Sequence, residues 1–344
     1  MYINGIGLVC AQHLDRTDGE YQFPTTATTR YEALEPDYKA LIPPMQLRRM
    51  SKVVRMGIAA AKTALEQAGI EKPDVITMGT AYGCLADTEV FLQKILTQEE
   101  TMLTPTAFIQ STHNTVSGQI ALILGCHGHN FTFVHRGHSF ETSLQESMMW
   151  LKEVPESKVL AGGIDELTDH AFQIISRFGT YKHSHDTFDI PSEGSIGGEG
   201  AGLFVLSAER NESTNAELMD IRLCHTEAIQ DELNLFLSSN GLQASDIRLC
   251  LLGVNGDSRY DETIKSHVAI LENCFMIPFK KWCGEFPTSG IFAFALASKI
   301  LKENRWPEEL VEEKSENIPE MPQHILIYNH YKNAYHSFIL LRRA

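Results

Sequence analysis

Apolar residues along the chain follow two alternating rhythms, a period near 3.6 and short continuous runs, and that alternation predicts an α/β fold. The opening stretch over residues 1–9 reads as a first strand. Over residues 53–68, Val54, Ile58, Ala61 and Leu65 share one helical face among good helix formers, with Gly69 placed as a stop. A strand is expected at 74–79, helices around 86–97 and 114–124, a strand at 130–134, a helix around 139–152 and a strand at 159–162. A loop from about 177 to 197 precedes the strand Gly202–Ser207.

The polar stretch Arg210–Glu217 then breaks the pattern and marks a boundary between halves. Beyond it the rhythm resumes, with helices at 226–240, 260–274 and 288–303, a strand at 248–254, and closing strands near 324–328 and 335–342. The expected organisation is an N-terminal half over 1–209 and a shorter C-terminal half over 218–344, a pseudo-duplication without short-period repeats.

Composition bounds the function. The 344 residues are 43% hydrophobic and 21% charged, as in a globular protein. A net charge of −15 has the wrong sign for a general binder of nucleic acid or anionic membrane. No apolar run approaches the roughly 18 residues of a membrane span, and the apolar start lacks the basic residues and cleavage site of a signal peptide. The seven cysteines are odd in number, scattered and never in a C-x-x-C pair, which suits free thiols in a reducing compartment and predicts a cytoplasmic protein.

The segment Asp186–Ser207 runs from Phe188-Asp189 through Glu193-Gly194 into Gly198-Glu199-Gly200-Ala201-Gly202 and a strand. It resembles the signature of β-ketoacyl synthases. Arg49-Met50-Ser51-Lys52, Met78–Gly83, Asn114 with Gly118–Ala121, and Val159–Gly163 fall in that family's order and spacing. The resemblance implies a thiolase-like fold, two pseudo-repeated halves in five layers, α-β-α-β-α, forming dimers. The glycines at 197–202 do not match a dinucleotide fingerprint and are read as allowing two backbones to meet.

The resemblance also shows where chemistry is missing. Ketosynthases carry an acyl chain on a cysteine at a helix N-terminus, where dipole and free N–H groups favour thiolate; here His138 occupies that position. Asn255 and Glu285 stand where the family has two histidines, and the family's lysine is kept as Lys280. The closing segment Tyr328–Ile339 has no glycine where the family has a glycine-rich loop. Such a chain resembles the chain-length-factor subunits that pair with an active ketosynthase. Those subunits usually carry glutamine, not histidine, at the cysteine position. The implied partners are an active ketosynthase, or a second copy of the chain, and an acyl carrier protein, with no cofactor.

Alternatives stand beside this reading. Cys126, His127, His129, His135 and His138 invite a zinc site, but their spacing fits no standard ligand pattern, and no metal is expected. His138 and Glu285 are expected to approach each other, either as a rebuilt acyltransferase or thioesterase base with Asn255 or as a buried structural hydrogen bond. Arg48, Arg49, Lys52 and Arg55 form a basic stretch suited to an acidic carrier protein, or to a solvated helix start or dimer seam. Phe172 and Phe178 are candidate walls of an acyl pocket, or core residues.

Overall fold

A computed structural model describes residues 1–14, 28–101, 103–182, 188–305 and 321–344. The first two residues of the signature, Asp186 and Thr187, lie outside the described residues. The first five strands are β1 (Tyr2–Cys10), β2 (Val75–Gly79), β3 (Asn130–Phe133), β4 (Val159–Asp165) and β5 (Gly200–Ser207). Their helices are α1 (Pro44–Leu47), α2 (Lys52–Ala68), α3 (Leu85–Thr97), α4 (Pro105–Gln110), α5 (Thr115–Leu124), α6 (Ser139–Glu153) and α7 (Asp169–Arg177). The second five strands are β6 (Ala216–Cys224), β7 (Leu249–Leu252), β8 (Phe275–Pro278), β9 (His324–Tyr331) and β10 (Tyr335–Arg342). With them run α8 (Ile229–Ser239), α9 (Asp261–His267), α10 (Lys280–Cys283) and α11 (Gly290–Glu303).

The strands stand in the order β3-β2-β4-β5-β1-β6-β10-β9-β7-β8. Read outward from the middle, both halves follow one plan. β2 is parallel to β3 and β4, and β5 is antiparallel to β4 and β1. Likewise β7 is parallel to β8 and β9, and β10 is antiparallel to β9 and β6. The halves join where Tyr2 and Ile3 pair with Glu217 and Ala216. The second half keeps all five strands; among the described residues its connections hold four helices against seven in the first.

Three apolar clusters separate five layers. Val54, Ile58, Ile76, Leu203 and Val205 pack the first half of the sheet against α2 and its neighbour α5. Leu233, Phe236, Leu326 and Phe338 pack the other half of the ten-stranded sheet against α8. Between the two halves of the sheet, α6 and α11 share a core with Phe204, Leu206, Ile325 and Ile327. The period of two along β5 and β9 does this: neighbouring residues face opposite layers. Phe294 of α11 meets Phe204 and Phe140 edge-on, at ring centroid separations of 4.7 and 5.7 Å, tying the central helices to β5. The five-layer α/β expectation holds.

Helix boundaries follow local chemistry. Gly69 takes φ 68° and Gly125 φ 61°, ending α2 and α5 in the left-handed conformation that glycine accepts. Several elements depart from the sequence reading. β6 starts inside the stretch taken as a boundary, α9 ends at His267 short of the expected 274, and α1, α4, α7, β8 and α10 were not expected.

The signature glycines bring two backbones together, as expected. Gly198 donates its amide to the Glu285 carbonyl at 3.1 Å, and the Glu285 amide donates to the Ile196 carbonyl at 2.7 Å. A Cβ on Gly198 would lie 2.2 Å from the Cys283 carbonyl oxygen. Gly198→Ala should therefore cost about 3 kcal/mol, the upper end for overpacking, read as a lowered denaturation midpoint at unchanged slope; unchanged stability would show that the two segments can separate.

Candidate functional site

The central helix α6 points its N-terminus at the site. A 3-10 turn, Arg136–His138, leads into it, and the Ser139 hydroxyl accepts the His135 amide at 2.9 Å. His138 is buried, and its Nε2 donates to the His336 carbonyl oxygen at 2.9 Å. That bond fixes the tautomer. Burial lowers the His138 pKa to about 4, against the favourable pull of the carbonyl. The imidazole is neutral at physiological pH.

Asn255 follows β7 on a loop that Asp261 of α9 holds by accepting the Asn255 and Gly256 amides at 3.1 and 3.0 Å. Glu285 follows α10, whose first residue is Lys280. Lys280 Nζ lies 3.1 and 2.9 Å from the two Glu285 carboxylate oxygens and also donates to the His330 carbonyl. Asn255 Nδ2 donates to Glu285 Oε2 at 2.6 Å. All three side chains are buried. Burial raises the Glu285 pKa, while Lys280 and Asn255 oppose the rise.

This arrangement corrects one expectation. Glu285 does not pair with His138: its carboxylate is held by Lys280 and Asn255, and the His138 ring nitrogen Nε2 is engaged with the His336 backbone. The Lys280 ammonium balances the Glu285 carboxylate within hydrogen-bond distance. The cluster is complete in itself.

Sequence reasoning missed the tyrosines. Tyr82 and Tyr331 place their hydroxyls 3.0 Å apart, and Tyr82 is hydrogen-bonded to Tyr181. Asp165, at the end of β4, accepts the Tyr82 amide at 2.8 Å, the Ala81 amide at 2.9 Å and the Thr288 hydroxyl at 2.9 Å, joining this turn to the start of α11. Burial raises all three phenol pKa values, with Glu285 adding to the rise. The signal in the sequence was the set of bulky residues at Tyr328–Tyr335 where glycines were expected.

A pocket of about 420 Å³ opens beside His138, lined by His135, Leu223, Cys224, His225 and Tyr335. Burial raises the Cys224 thiol pKa to about 11, leaving it protonated and a weak nucleophile. Among the described residues no three His, Cys, Asp or Glu side chains are grouped to hold a metal ion, and His127 and His129 are exposed.

The other predicted residues divide. Lys52 turns inward to the buried Glu199 carboxylate, which also accepts the Ala33 and Leu167 amides at 2.9 and 3.1 Å. Arg55 pairs with Glu35 at 3.5 Å and lies over the Tyr38 ring. Neither side chain is a free surface cation, which corrects the reading of the basic stretch; Arg48 and Arg49 are exposed. Phe172 stacks on Tyr181 at 5.3 Å, whereas Phe178 is 79% exposed.

Lys280→Met should destabilise the fold by about 3–5 kcal/mol by leaving Glu285 buried without its cation. The double variant Lys280→Met/Glu285→Gln should recover most of that loss in denaturant titrations. If the single variant is as stable as the parent, the carboxyl is already neutral. His138 and His336 both have pKa values lowered to about 4 by burial. Their stabilising contribution is present above the unfolded value near 6.5 and falls away as pH drops toward 4. Glu166, raised to about 7 by burial, acts in the opposite direction, losing its contribution as pH rises from the ordinary carboxylate range through 7. The stability difference between the parent and His138→Gln should therefore shrink on acidification from 6.5 to 4, and a pH-independent difference would contradict the neutral assignment.

Residues 9–212 match the family model for the β-ketoacyl synthase N-terminal domain, well over half the chain. No curated protein is similar to the chain in sequence. Among solved structures, the ishigamide ketosynthase/chain length factor is 17% identical with a TM-score of 0.81, covering 100% of this chain and 98% of that one. A β-ketoacyl synthase from Burkholderia phymatum STM815 is 18% identical with a TM-score of 0.80, at 100% and 99% coverage. A ketosynthase in complex with its chain length factor from Xenorhabdus doucetiae is 16% identical with a TM-score of 0.76, at 100% and 98% coverage. With the signature glycines joined to the Glu285 segment and no cysteine at the head of α6, the chain is a divergent member of the β-ketoacyl synthase family.

Proposed function

We propose that this chain is a non-catalytic ketosynthase-type subunit. It assembles with a ketosynthase of the same fold that carries the cysteine and two histidines, and it helps to shape the tunnel for a growing acyl, polyketide or polyene chain. The observation that carries this reading is the closed Lys280–Glu285–Asn255 cluster: where the family stabilises a developing enolate, the polar groups here satisfy one another. The solved ketosynthase/chain-length-factor pairs of the same fold support it.

The surface supplies a place for the partner. β3 is one edge of the sheet, and around it Leu122 is 74% exposed, Val134 52% and Met149 61%, with Phe131 on the strand itself. An unpaired edge flanked by apolar side chains is a template for another strand. A second chain of the same fold would cover both.

A carrier protein is proposed to dock at Arg48 and Arg49. Arg49 rims a pocket of about 270 Å³ whose walls include Met50, Val54, Leu122 and Ile123, which joins a cation to apolar surface on an otherwise acidic molecule. The seven unpaired thiols favour a reducing compartment, and we place the protein in the cytoplasm on that ground. No helix among the described residues is long and apolar enough to cross a membrane.

One observation favours a second reading, an acyltransferase or thioesterase: the pocket beside the neutral His138 imidazole. Against it, no carboxylate among the described residues hydrogen-bonds that ring. The lone protein should release no acyl group from carrier-bound thioesters, whereas turnover abolished by His138→Ala would overturn the non-catalytic reading. Charge reversal at Arg48 and Arg49 should weaken carrier-protein binding by the assembled pair at least tenfold at low salt; equal affinity would remove this docking site.

A further inference from the structure

Imidazoles grip the hairpin joining β9 to β10 from three directions. From the head of α6, His138 Nε2 donates to the His336 carbonyl at 2.9 Å, and from just after β6, His225 Nδ1 donates to the Ala334 carbonyl at 2.8 Å. From α9, His267 Nδ1 lies 2.6 Å from the Tyr328 hydroxyl oxygen, whose other neighbour is His336 Nδ1 at 2.9 Å. One phenol therefore bridges two imidazoles whose ring centroids are 5.5 Å apart. Tyr328 and His336 are buried and His267 is half-buried.

These bonds differ in what a proton does to them. His138 and His225 meet the hairpin as donors to carbonyl oxygens, and a second ring proton leaves such a bond in place. The Tyr328 hydroxyl holds a single proton, so it donates to one Nδ1 and accepts from the other, and the two imidazoles must be opposite tautomers. The donor imidazole can take a proton on its free nitrogen with both bonds kept. The acceptor imidazole cannot, because its Nδ1 would then turn an N–H toward the hydroxyl proton. Half-buried His267 is the seat open to a first proton from solvent, which leaves buried His336 as the acceptor.

The groups packed around the bridge supply no counter-charge. Cys224 of β6 and Cys250 of β7 share the apolar cluster with Tyr328, and burial keeps both thiols protonated. His330 of β9, 6.2 Å from His336 between ring centroids, accepts the Asn333 amide at 3.3 Å; burial first, then the Lys280 ammonium, holds its ring neutral. Glu141 of α6 accepts from Ser337, which points to the other face of β10. On α9, Glu262 is paired with Lys265 and Asp261 with the Asn255 and Gly256 amides. Arg136 and Lys332 lie at the Tyr335 and Tyr331 rings and add only positive charge. We infer that Tyr328 makes His267 and His336 a one-proton latch on the hairpin: the first proton is carried at His267 with the bridge intact, and a second, on His336, breaks it and loosens the wall that Tyr335 gives the His138 pocket.

The latch is independent of the partner role, and the full chain tests it by NMR of histidine ring nitrogens and by amide hydrogen exchange from pH 7 to 4. In the wild type at pH 7, His267 and His336 should be opposite tautomers; the same tautomer in both overturns the bridge. Hairpin amides, corrected for intrinsic exchange chemistry, should lose tenfold or more of their protection as pH falls toward 4, where burial places the His336 titration, while β1 and β5 stay protected. Loss in step with β1 and β5 is global unfolding and overturns the latch. Tyr328→Phe keeps the ring in the core and removes the hydroxyl. It should lower hairpin protection at pH 7 roughly fivefold, the effect of one hydrogen bond. It should also move the two titrations in opposite directions: His336, no longer receiving a hydrogen bond on its neutral form, takes its proton at higher pH, and His267, losing an acceptor for its charged form, at lower pH. A hairpin weakened with both titrations unmoved, or moved the same way, would show that the hydroxyl only packs.

Discussion

One buried cation, Lys280, governs the centre of this molecule. An ammonium and a carboxylate taken out of water are tolerated only when they meet closely and their remaining hydrogen-bond capacity is filled. Glu285 supplies the carboxylate, and Asn255 and the His330 carbonyl fill the rest. The Glu285 backbone is in turn paired on both sides with Ile196 and Gly198. The most recognisable stretch of the sequence is thus held by architecture: its glycines let the Glu285 segment approach, whatever that segment does chemically.

The same balance underlies the proposed non-catalytic role. A decarboxylating site needs donors that are free in the ground state and become engaged as negative charge develops. Here the donors are already spent on Glu285. At the head of α6 the helix dipole would favour a thiolate, but the residue there is a neutral imidazole bonded to a backbone carbonyl. The two sets of groups are separately satisfied. What remains intact is the duplicated five-layer frame and an apolar sheet edge, the features an assembly partner needs.

The first half was legible in the sequence because its elements are long and strongly periodic: α2 carries Val54, Ile58, Ala61 and Leu65 on one face and stops at Gly69. β6 was not legible, since Glu217, Asp220 and Arg222 on its less buried face disguised it as a polar boundary. β8 is four residues ending in proline, too short to show a period. The positions of His138, Asn255, Glu285 and Lys280 were read from family order, but their bonding was not. The lysine–glutamate pair is five residues apart yet depends on a sharp bend at Gly284, and the expected His138–Glu285 contact failed because tertiary partners took both groups. Lys52 shows the same limit: a run of basic residues gives no sign that one of them turns inward to Glu199.

Native mass spectrometry of this chain mixed with a same-fold ketosynthase that retains cysteine and both histidines addresses the central claim most directly. The account predicts a one-to-one heterodimer in which acyl groups from the carrier protein appear covalently on the ketosynthase and never on this chain. A chain that remains apart from every such ketosynthase, or that becomes acylated itself, would contradict it.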